Sequence, residues 1–395
     1  MKLLQQRLAQ YTAPQEAQAA GIYPYFRKIE SDQDTEVVID GRKVLMFGSN
    51  AYLGLTNHPK VKAAAADATE KYGTGCAGSR FLNGTLDIHL TLEKELAEFV
   101  GKEDAIIFST GFQVNLGVIS CLTGREDYII WDTLNHASII EGIRLGQGKS
   151  LRYKHNDMDG LERRLQQCQP DKVKLIVVDG VFSMEGDLCD LPKIVELAKR
   201  YNAAVMVDEA HGIGVLGDCG RGVCNHFGLT DEVDLIMGTF SKSFASIGGF
   251  IAGDATLINY IRHHARSYIF SASATPAATA AAAASLEIMR SEPERVVQLK
   301  EKTDYCLSHF RRLGFEIGNT STPIIPLYVR NNDLTFLITA ELFEEGVFVN
   351  PVVAPAVATE DTLIRFSLMC THTYEQLDAA IERIYKVFKR HGLVS

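Results

Sequence analysis

AVMVDEAHGIGVLGDCGRGVCNHFGLTDEVDLIMGTFSKSF (204–244) decides the fold. An apolar run, AVMVD (204–208), ends on an acid. A second, LIMG (235–238), ends in a turn bearing hydroxyls and a lysine, TFSK (239–242). Neither run alternates apolar with polar residues. Short continuous apolar runs bounded by turn residues suit strands buried on both faces of a sheet. Working outward, runs of the same kind recur at AIIF (105–108), YIIW (128–131) and LIVVD (175–179). Helix-like stretches lie between them, among them LERRLQQC (161–168) and LPKIVELAKRY (191–201). This rhythm predicts an α/β domain with a mostly parallel sheet covered on both faces.

The flanks read differently. Residues 1–30 suggest a helical lead-in, and VVIDGRKVLMF (37–47) a hairpin turning at Asp40-Gly41. A helix is expected from Pro59 to residue 72 and another near 87–100, with glycine-rich YGTGCAGSRFLNGT (72–85) between them. Thr275-Pro276 opens an Ala-rich helix, with Thr as cap and Pro in the first turn. Beyond about residue 290 the order becomes helix (295–312), strand (324–329), helix (334–345) and a last helix (374–390). The expected division is an N-terminal segment, 1–55, that packs with a small domain; a large domain, 56–290; and a small α+β C-terminal domain, 291–395.

Composition limits the function classes. At 395 residues the chain exceeds the ~250–300 at which one core stops growing. Charged residues at 23% and aromatics at 9% exclude a disordered or fibrous chain. A net charge of −9 disfavours nucleic acid as a partner. No apolar run reaches the ~18–20 residues needed to cross a bilayer. The polar start MKLLQQRLAQYTAPQEAQ lacks a signal core, so a cytoplasmic protein is expected, with at most weak peripheral membrane contact. Eight cysteines without a C-x-x-C pair read as reduced thiols, with neither a zinc site nor disulfides.

Some strings mislead. GTGCAG (73–78) follows a helix, whereas a dinucleotide site needs a strand before it. GIGVLG (212–217) follows a strand, but loop-like DCGRGVCNHFG comes after it instead of a helix. VMVDEAH (205–211) resembles an ATPase motif, yet the nearest phosphate-loop string, GIRLGQGKS (142–150), runs into strand-like SLRYKH. Such a backbone cannot cradle phosphates at a helix N-terminus.

The chemistry gathers at strand ends. Asp208 closes one apolar run, with His211 just beyond. Thr239, Ser241 and Lys242 follow the next, and Ser109-Thr110-Gly111-Phe112 an earlier one. Open α/β sheets bind ligands at these carboxyl ends. A desolvated lysine makes a good nucleophile toward an aldehyde. Hydroxyls and backbone N–H groups can hold a phosphate. A buried acid can keep a pyridine nitrogen protonated. Together these are the parts of a pyridoxal-phosphate site.

The ordered strings NAYLGL (50–55), STGFQVN (109–115), LNHASII (134–140), DGVFSMEGD (179–187), VDEAHGIGVLG (207–217), GTFSKSF (238–244) and IRFSLMCTHTYEQLD (364–378) carry a resemblance. From about residue 22 to 390 the chain resembles the α-oxoamine synthase family of fold-type I pyridoxal-phosphate enzymes. The resemblance implies a large domain with a mostly parallel, seven-stranded sheet, a smaller α+β domain, and a homodimer with the site at its interface. It implies that Lys242 holds pyridoxal 5'-phosphate covalently and shuttles the α-proton. Asp208 would pair with the ring nitrogen, and His211 and Ser183 with the ring hydroxyl. His136 would stack on the ring and orient the bound amino acid. Gly111 and Phe112 would give N–H groups to the phosphate, with Thr239 and Ser241 nearby. Ser273, in FSASATP (270–276), would reach the partner subunit's phosphate. Arg365 would clamp the amino acid's carboxylate, and Asn50 and Tyr52 would line the substrate mouth. Glu209 is adjacent. No metal is implied.

The family condenses an amino acid with an acyl-CoA, releasing CoA and CO₂. Its pairings include serine with palmitoyl-CoA, glycine with acetyl-CoA, alanine with a pimeloyl thioester, and glycine with succinyl-CoA. GTFSKS (238–243), YFRKIES (25–31) and the hairpin that follows resemble bacterial members using L-serine and palmitoyl-CoA, whose product is 3-oxosphinganine, the first intermediate of sphingolipid synthesis. One stretch departs from that pattern. FVNPVVAPAVATEDTLIR (348–365) has no arginine before Pro351, and only Pro351 and Pro355 punctuate the loop. A catalytically silent partner subunit would lack the lysine, and this chain retains Lys242.

Overall fold

The computed structural model describes residues 2–354 and 356–395, so Pro355 lies outside the described residues. The chain forms two compact units, Asn50–Glu301 and the chain up to Ser49 joined with Lys302–Ser395.

Among the described residues, the Asn50–Glu301 unit is built on one seven-stranded sheet. Its strands are β1 (Asp104–Phe108), β2 (Tyr128–Asp132), β3 (Lys149–Tyr153), β4 (Lys174–Asp179), β5 (Ala204–Asp208), β6 (Leu235–Thr239) and β7 (Gly249–Gly253). The spatial order is β1-β7-β6-β5-β4-β2-β3. Strands β6, β5, β4, β2 and β3 run parallel, and only β7 is antiparallel to its neighbours β1 and β6. The expected mostly parallel fold-type I sheet is therefore present.

The five apolar runs are all strands. Edge strand β3 takes up the strand-like SLRYKH. Strand β7, GFIAG, is the one the rhythm does not reveal, because glycines bound it. Those glycines answer a packing demand: a Cβ on Gly249 would come within 2.7 Å of Gly111 Cα, and one on Gly253 within 2.8 Å of the Asp234 carbonyl.

Alternate residues fill the core on one face. Ile106, Phe108, Ile129, Leu175, Val177, Met206, Leu235, Met237 and Ile251 point there with Val114, Val118 and Ile119 of α1 (Gly111–Leu122) and Ile139 and Ile143 of α2 (Ala137–Leu145). Each fully buried side chain of this size contributes about 1.5–3 kcal/mol. The helices expected at 59–72 and 87–100 are Pro59–Tyr72 and Asp87–Val100, and the Thr275 hydroxyl caps Pro276–Ser291 by accepting from Ala278 N–H.

In the other unit, Glu36–Ile39 and Arg42–Met46 form the expected hairpin. Its turn residues, Asp40 and Gly41, have φ of 50° and 74°, the left-handed pair that a tight hairpin requires. Val347–Phe348 adds a parallel strand to it. A second three-stranded sheet orders Ile324–Tyr328, Leu363–Ser367 and Asn350–Val352, all antiparallel. The unit also holds the helices Leu3–Leu8, Ala13–Ala19, Asn332–Glu344 and Tyr374–Arg390, and the greater part of the helix expected at 295–312, which runs Glu294–Arg312. Among the described residues no helix is long and apolar enough to cross a membrane.

Both glycine strings are structural. GTGCAG follows the helix Pro59–Tyr72. GIGVLG lies in a loop succeeded by a four-residue helix, Val223–His226. GIRLGQGKS joins helix α2 to strand β3, the reverse of a phosphate loop's strand-to-helix order.

Candidate active site

Strand ends β1, β4, β5 and β6 converge on a cavity of about 370 Å³. Thr110, Gly111, Phe112, His136, Ser138, Asp179, Asp208, Ala210, His211, Met237, Thr239, Ser241, Lys242, Ile247 and Gly248 line it. Eight of the residues singled out from the sequence thus meet in one place.

Each is held by a local cause. The turn after β1 places Thr110 as the N-cap of α1, where its hydroxyl accepts from Gln113 N–H at 3.2 Å. The first turn of α1 therefore lines the cavity with N–H groups that have no partner within the helix. Gly111 is obligatory, since a Cβ would stand 2.5 Å from Thr239 Oγ1. Thr239 and Ser241 share a hydroxyl contact at 3.0 Å, and Thr239 Oγ1 also donates to the Gly248 carbonyl at 3.2 Å.

Asp208 ends β5 and is buried, 3% exposed. Its Oδ2 accepts from Asn115 Nδ2 at 2.7 Å and its Oδ1 from Ala210 N–H at 2.9 Å. Neighbouring Asp179, also buried, accepts His136 N–H at 2.6 Å. Burial pushes the Asp179 pKa well up, and the Asp208 charge pushes it further. His136 is exposed along the cavity wall, yet protein surrounds its ring closely enough for desolvation to lower its pKa. Asp208 opposes that shift and Lys242 adds to it. His211 Nδ1 meets the Tyr52 hydroxyl at 2.7 Å, and that hydroxyl donates to Asn50 Oδ1 at 3.3 Å. Asn50 and Tyr52 thus join the cavity through His211.

Three more expected residues are, like Asn50 and Tyr52, not among the lining set. Ser183 sits in a turn closed by Phe182 N–H to Asp187 O and Gly186 N–H to Phe182 O. Ser273 donates through both N–H and Oγ to the Gly78 carbonyl, at 3.0 and 3.1 Å. Arg365 belongs to the other unit. There it lies on Leu363–Ser367, is 4% exposed, and donates to Ser367 Oγ at 2.6 Å. Glu209 is fully buried and points elsewhere, accepting Val223 N–H and Cys224 N–H at 2.8 Å each. Asn115, Ser138 and Asp179 were not singled out from the sequence, although all three stand inside the quoted strings STGFQVN, LNHASII and DGVFSMEGD.

The donor set fits one kind of ligand. A primary amine, a buried carboxylate, two hydroxyls and a helix N-terminus suit a group with an aldehyde, a cationic ring nitrogen and a phosphate. Among the described residues no cluster of acids, histidines and cysteines could hold a metal ion.

Known proteins match the chain over most or all of its length. The model of the family "aminotransferase class I and II" matches residues 42–384. A serine palmitoyltransferase of Bacteroides thetaiotaomicron is 64% identical over 394 residues, covering 100% of both chains. An 8-amino-7-oxononanoate synthase of Thermosipho melanesiensis is 45% identical, covering 95% of this chain and 96% of its own. Among solved structures, a serine palmitoyltransferase of S. paucimobilis with a lysine-to-alanine substitution and bound PLP–myriocin aldimine superposes with TM-score 0.96. It is 33% identical and fully covered in both chains. The chain belongs to the aminotransferase class I and II family and, within it, to the α-oxoamine synthases whose strings its sequence carries.

Proposed function

We propose that the chain is a pyridoxal-phosphate-dependent acyltransferase that condenses L-serine with palmitoyl-CoA to 3-oxosphinganine. Lys242, Asp208 and His136 lining one cavity beside a helix N-terminus is the observation that carries this reading. The 64% identity to a serine palmitoyltransferase, against 45% to an 8-amino-7-oxononanoate synthase, favours serine and palmitoyl-CoA over alanine and a pimeloyl thioester.

When bound, pyridoxal phosphate supplies an aldehyde that captures amines and a ring that accepts an electron pair. The protein's residues do the rest. Lys242 Nζ would hold the cofactor and would take the amino acid's α-proton. The Asp208 carboxylate would keep the ring nitrogen protonated, and His211 and Ser183 would serve the ring hydroxyl. Gly111 and Phe112 N–H groups, with Thr239 and Ser241, would hold the phosphate, and Ser273 would serve that of the partner subunit. His136 would stack on the ring. Arg365 would grip the substrate carboxylate with a bidentate fork, and Asn50 and Tyr52 would line the mouth. The serine α-carbon bonds to the thioester carbonyl carbon as the CoA thiolate leaves. The serine carboxylate then leaves as CO₂, and Lys242 returns a proton to the same carbon. We infer a homodimer working in the cytoplasm, where the chain's free thiols remain reduced.

The test is a substrate matrix in which serine, glycine and alanine are paired with acetyl-, succinyl-, pimeloyl- and palmitoyl-CoA and CoA release is measured. Serine with palmitoyl-CoA should turn over fastest. A preference for glycine with acetyl-CoA overturns the substrate assignment. Loading with pyridoxal phosphate should give a visible absorbance band that Lys242→Ala abolishes.

A further inference from the structure

His136 is one end of a buried hydrogen-bond chain that runs to Asp208. Asn115 Nδ2 donates to Asp208 Oδ2 at 2.7 Å and to Ser138 Oγ at 2.8 Å. Ser138 Oγ in turn meets His136 Nδ1 at 2.7 Å, and Ser138 backbone N–H also donates to Nδ1, at 3.3 Å. Asn115 and Ser138 are each 1% exposed.

The direction of each bond follows from its neighbours. The Asp208 carboxylate accepts only, so the face of Asn115 toward it must be the NH₂ group. The opposite orientation would set two oxygens against each other. Asn115 keeps this orientation although its Oδ1 is left buried with no partner among the described residues. An unsatisfied buried acceptor is costly, so the two donated bonds set the side chain's position. With Asn115 donating to it, Ser138 Oγ has its single hydrogen left for His136. Two donors, Oγ–H and the backbone N–H, then meet Nδ1. That nitrogen must carry a lone pair, and a neutral ring must carry its proton on Nε2.

We propose that Asn115 and Ser138 are positioning residues that lock His136 as the neutral Nε2–H tautomer, so that it presents an N–H, and no lone pair, to whatever occupies the cavity. Protonation would place a third hydrogen at Nδ1 against two existing donors. The charges facing the ring are consistent with the neutral form: Lys242 disfavours the imidazolium, as desolvation does, while Asp208 acts against both. The resting His136 is therefore a hydrogen-bond donor and not a general base. The tautomer itself does not depend on the substrate. The use made of it rests on the acyl-transfer reading above.

The test is nitrogen NMR on the full-length protein with ¹⁵N-labelled histidine rings, the His136 signals being assigned by their loss in His136→Gln. In the wild type at neutral pH, Nδ1 should fall in the unprotonated range and Nε2 in the protonated range. In Ser138→Ala both should move toward the average of two exchanging tautomers, and Ser138→Thr should restore the wild-type pattern. Asn115→Ala is the second variant, and it should shift the ring signals in the same sense as Ser138→Ala. Turnover in Ser138→Ala should fall about tenfold, the cost of one hydrogen bond. A protonated Nδ1 in the wild type, or unchanged ring signals in Ser138→Ala, overturns the proposal. Because the ring signals need no substrate, failure of the acyl-transfer reading appears separately, as absent CoA release in the wild type.

Discussion

Asp179 and Asp208 are register partners at the last position of two neighbouring parallel strands, and both are buried. Two carboxylates so placed do not both ionise readily. Burial, reinforced by the Asp208 charge, raises the Asp179 pKa well above its ordinary value, so Asp179 holds a proton far more readily than an ordinary carboxyl.

That asymmetry predicts opposite sensitivities to an amide. Asp179→Asn keeps the shape of a side chain whose surroundings favour the uncharged form, and it can still accept His136 N–H. Its kcat/KM should stay within about threefold of wild type. Asp208→Asn removes the charge that would pair with a ring nitrogen, and kcat/KM should fall by about 100-fold or more. Asp179→Ala strands the His136 N–H and should destabilise the fold by about 1–3 kcal/mol. Steady-state CoA release and thermal melts of the three variants measure these effects. Equal losses in the two Asn variants would contradict that asymmetry.

A second acid pair predicts a pH-dependent stability. His155 Nδ1 lies 3.2 Å from Asp132 and Nε2 lies 2.9 Å from Asp187, with Phe182 edge-on to the ring. Desolvation works against the charge, but the hydrogen bonds and charges of the two acids outweigh it and raise the pKa to about 10. A raised pKa means the folded state binds the proton more tightly than the unfolded state. The stabilisation is therefore fully present below the unfolded value, about 6.5, and is lost as pH rises to about 10. His155→Gln should cost on the order of 3 kcal/mol at pH 6 and progressively less toward pH 10. The melting-temperature gap between wild type and variant, followed across pH, reports it. Because Asp187 closes the turn that carries Ser183, the variant should also bind pyridoxal phosphate more weakly.

Much of this was legible because its causes are local. Continuous apolar runs such as LIVVD and AVMVD can be buried only in a sheet covered on both faces, and their terminal acids fall at the ligand-binding edge. Strand β7 was hidden because its glycines answer to Gly111 and Asp234, which are distant in sequence. Asn115 and Ser138 were hidden for a similar reason. A buried amide between two strings looks like any other polar core residue until Asp208 and His136 are seen at its two ends. Glu209 stands in the motif beside Asp208, but adjacent residues on a strand face opposite sides, and its carboxylate holds a loop instead.

That loop supplies a stability prediction. Glu209 receives two backbone N–H groups, and Gly212 and Gly222 pack against its carboxylate. A Cβ on Gly222 would approach Glu209 Cδ to 2.6 Å, and the backbone there has φ of +102°. Gly222→Ala combines a backbone penalty with a collision against a fixed group. It should cost about 2–4 kcal/mol in denaturant unfolding, whereas Gly228→Ala, at φ +67° with open space around it, should cost only about 1 kcal/mol. Glu209→Gln turns an acceptor into a donor opposite a backbone N–H and should cost about 1–3 kcal/mol. Similar costs at Gly222 and Gly228 would show that collision with Glu209 is not the deciding factor.

The role proposed for Arg365 can be separated from a purely structural one. Its guanidinium is buried and donates to Ser367 Oγ at 2.6 Å, so removing it takes a donor from that buried hydroxyl. A structural loss lowers stability and affects all kinetic parameters together. Loss of a carboxylate clamp removes binding shared by ground and transition states, which raises the amino-acid KM and leaves kcat nearly unchanged. Arg365→Lys keeps the charge but not the bidentate fork. The KM for serine should rise about tenfold in Arg365→Lys and about 100-fold in Arg365→Ala, while the KM for acyl-CoA stays within about twofold. Ser367→Ala removes the hydroxyl partner alone and should leave the serine KM within about threefold. If Ser367→Ala raises the serine KM as much as Arg365→Ala does, the arginine acts through its contacts within the sheet. A selective rise in Arg365→Lys with Ser367→Ala near wild type supports direct contact with the substrate.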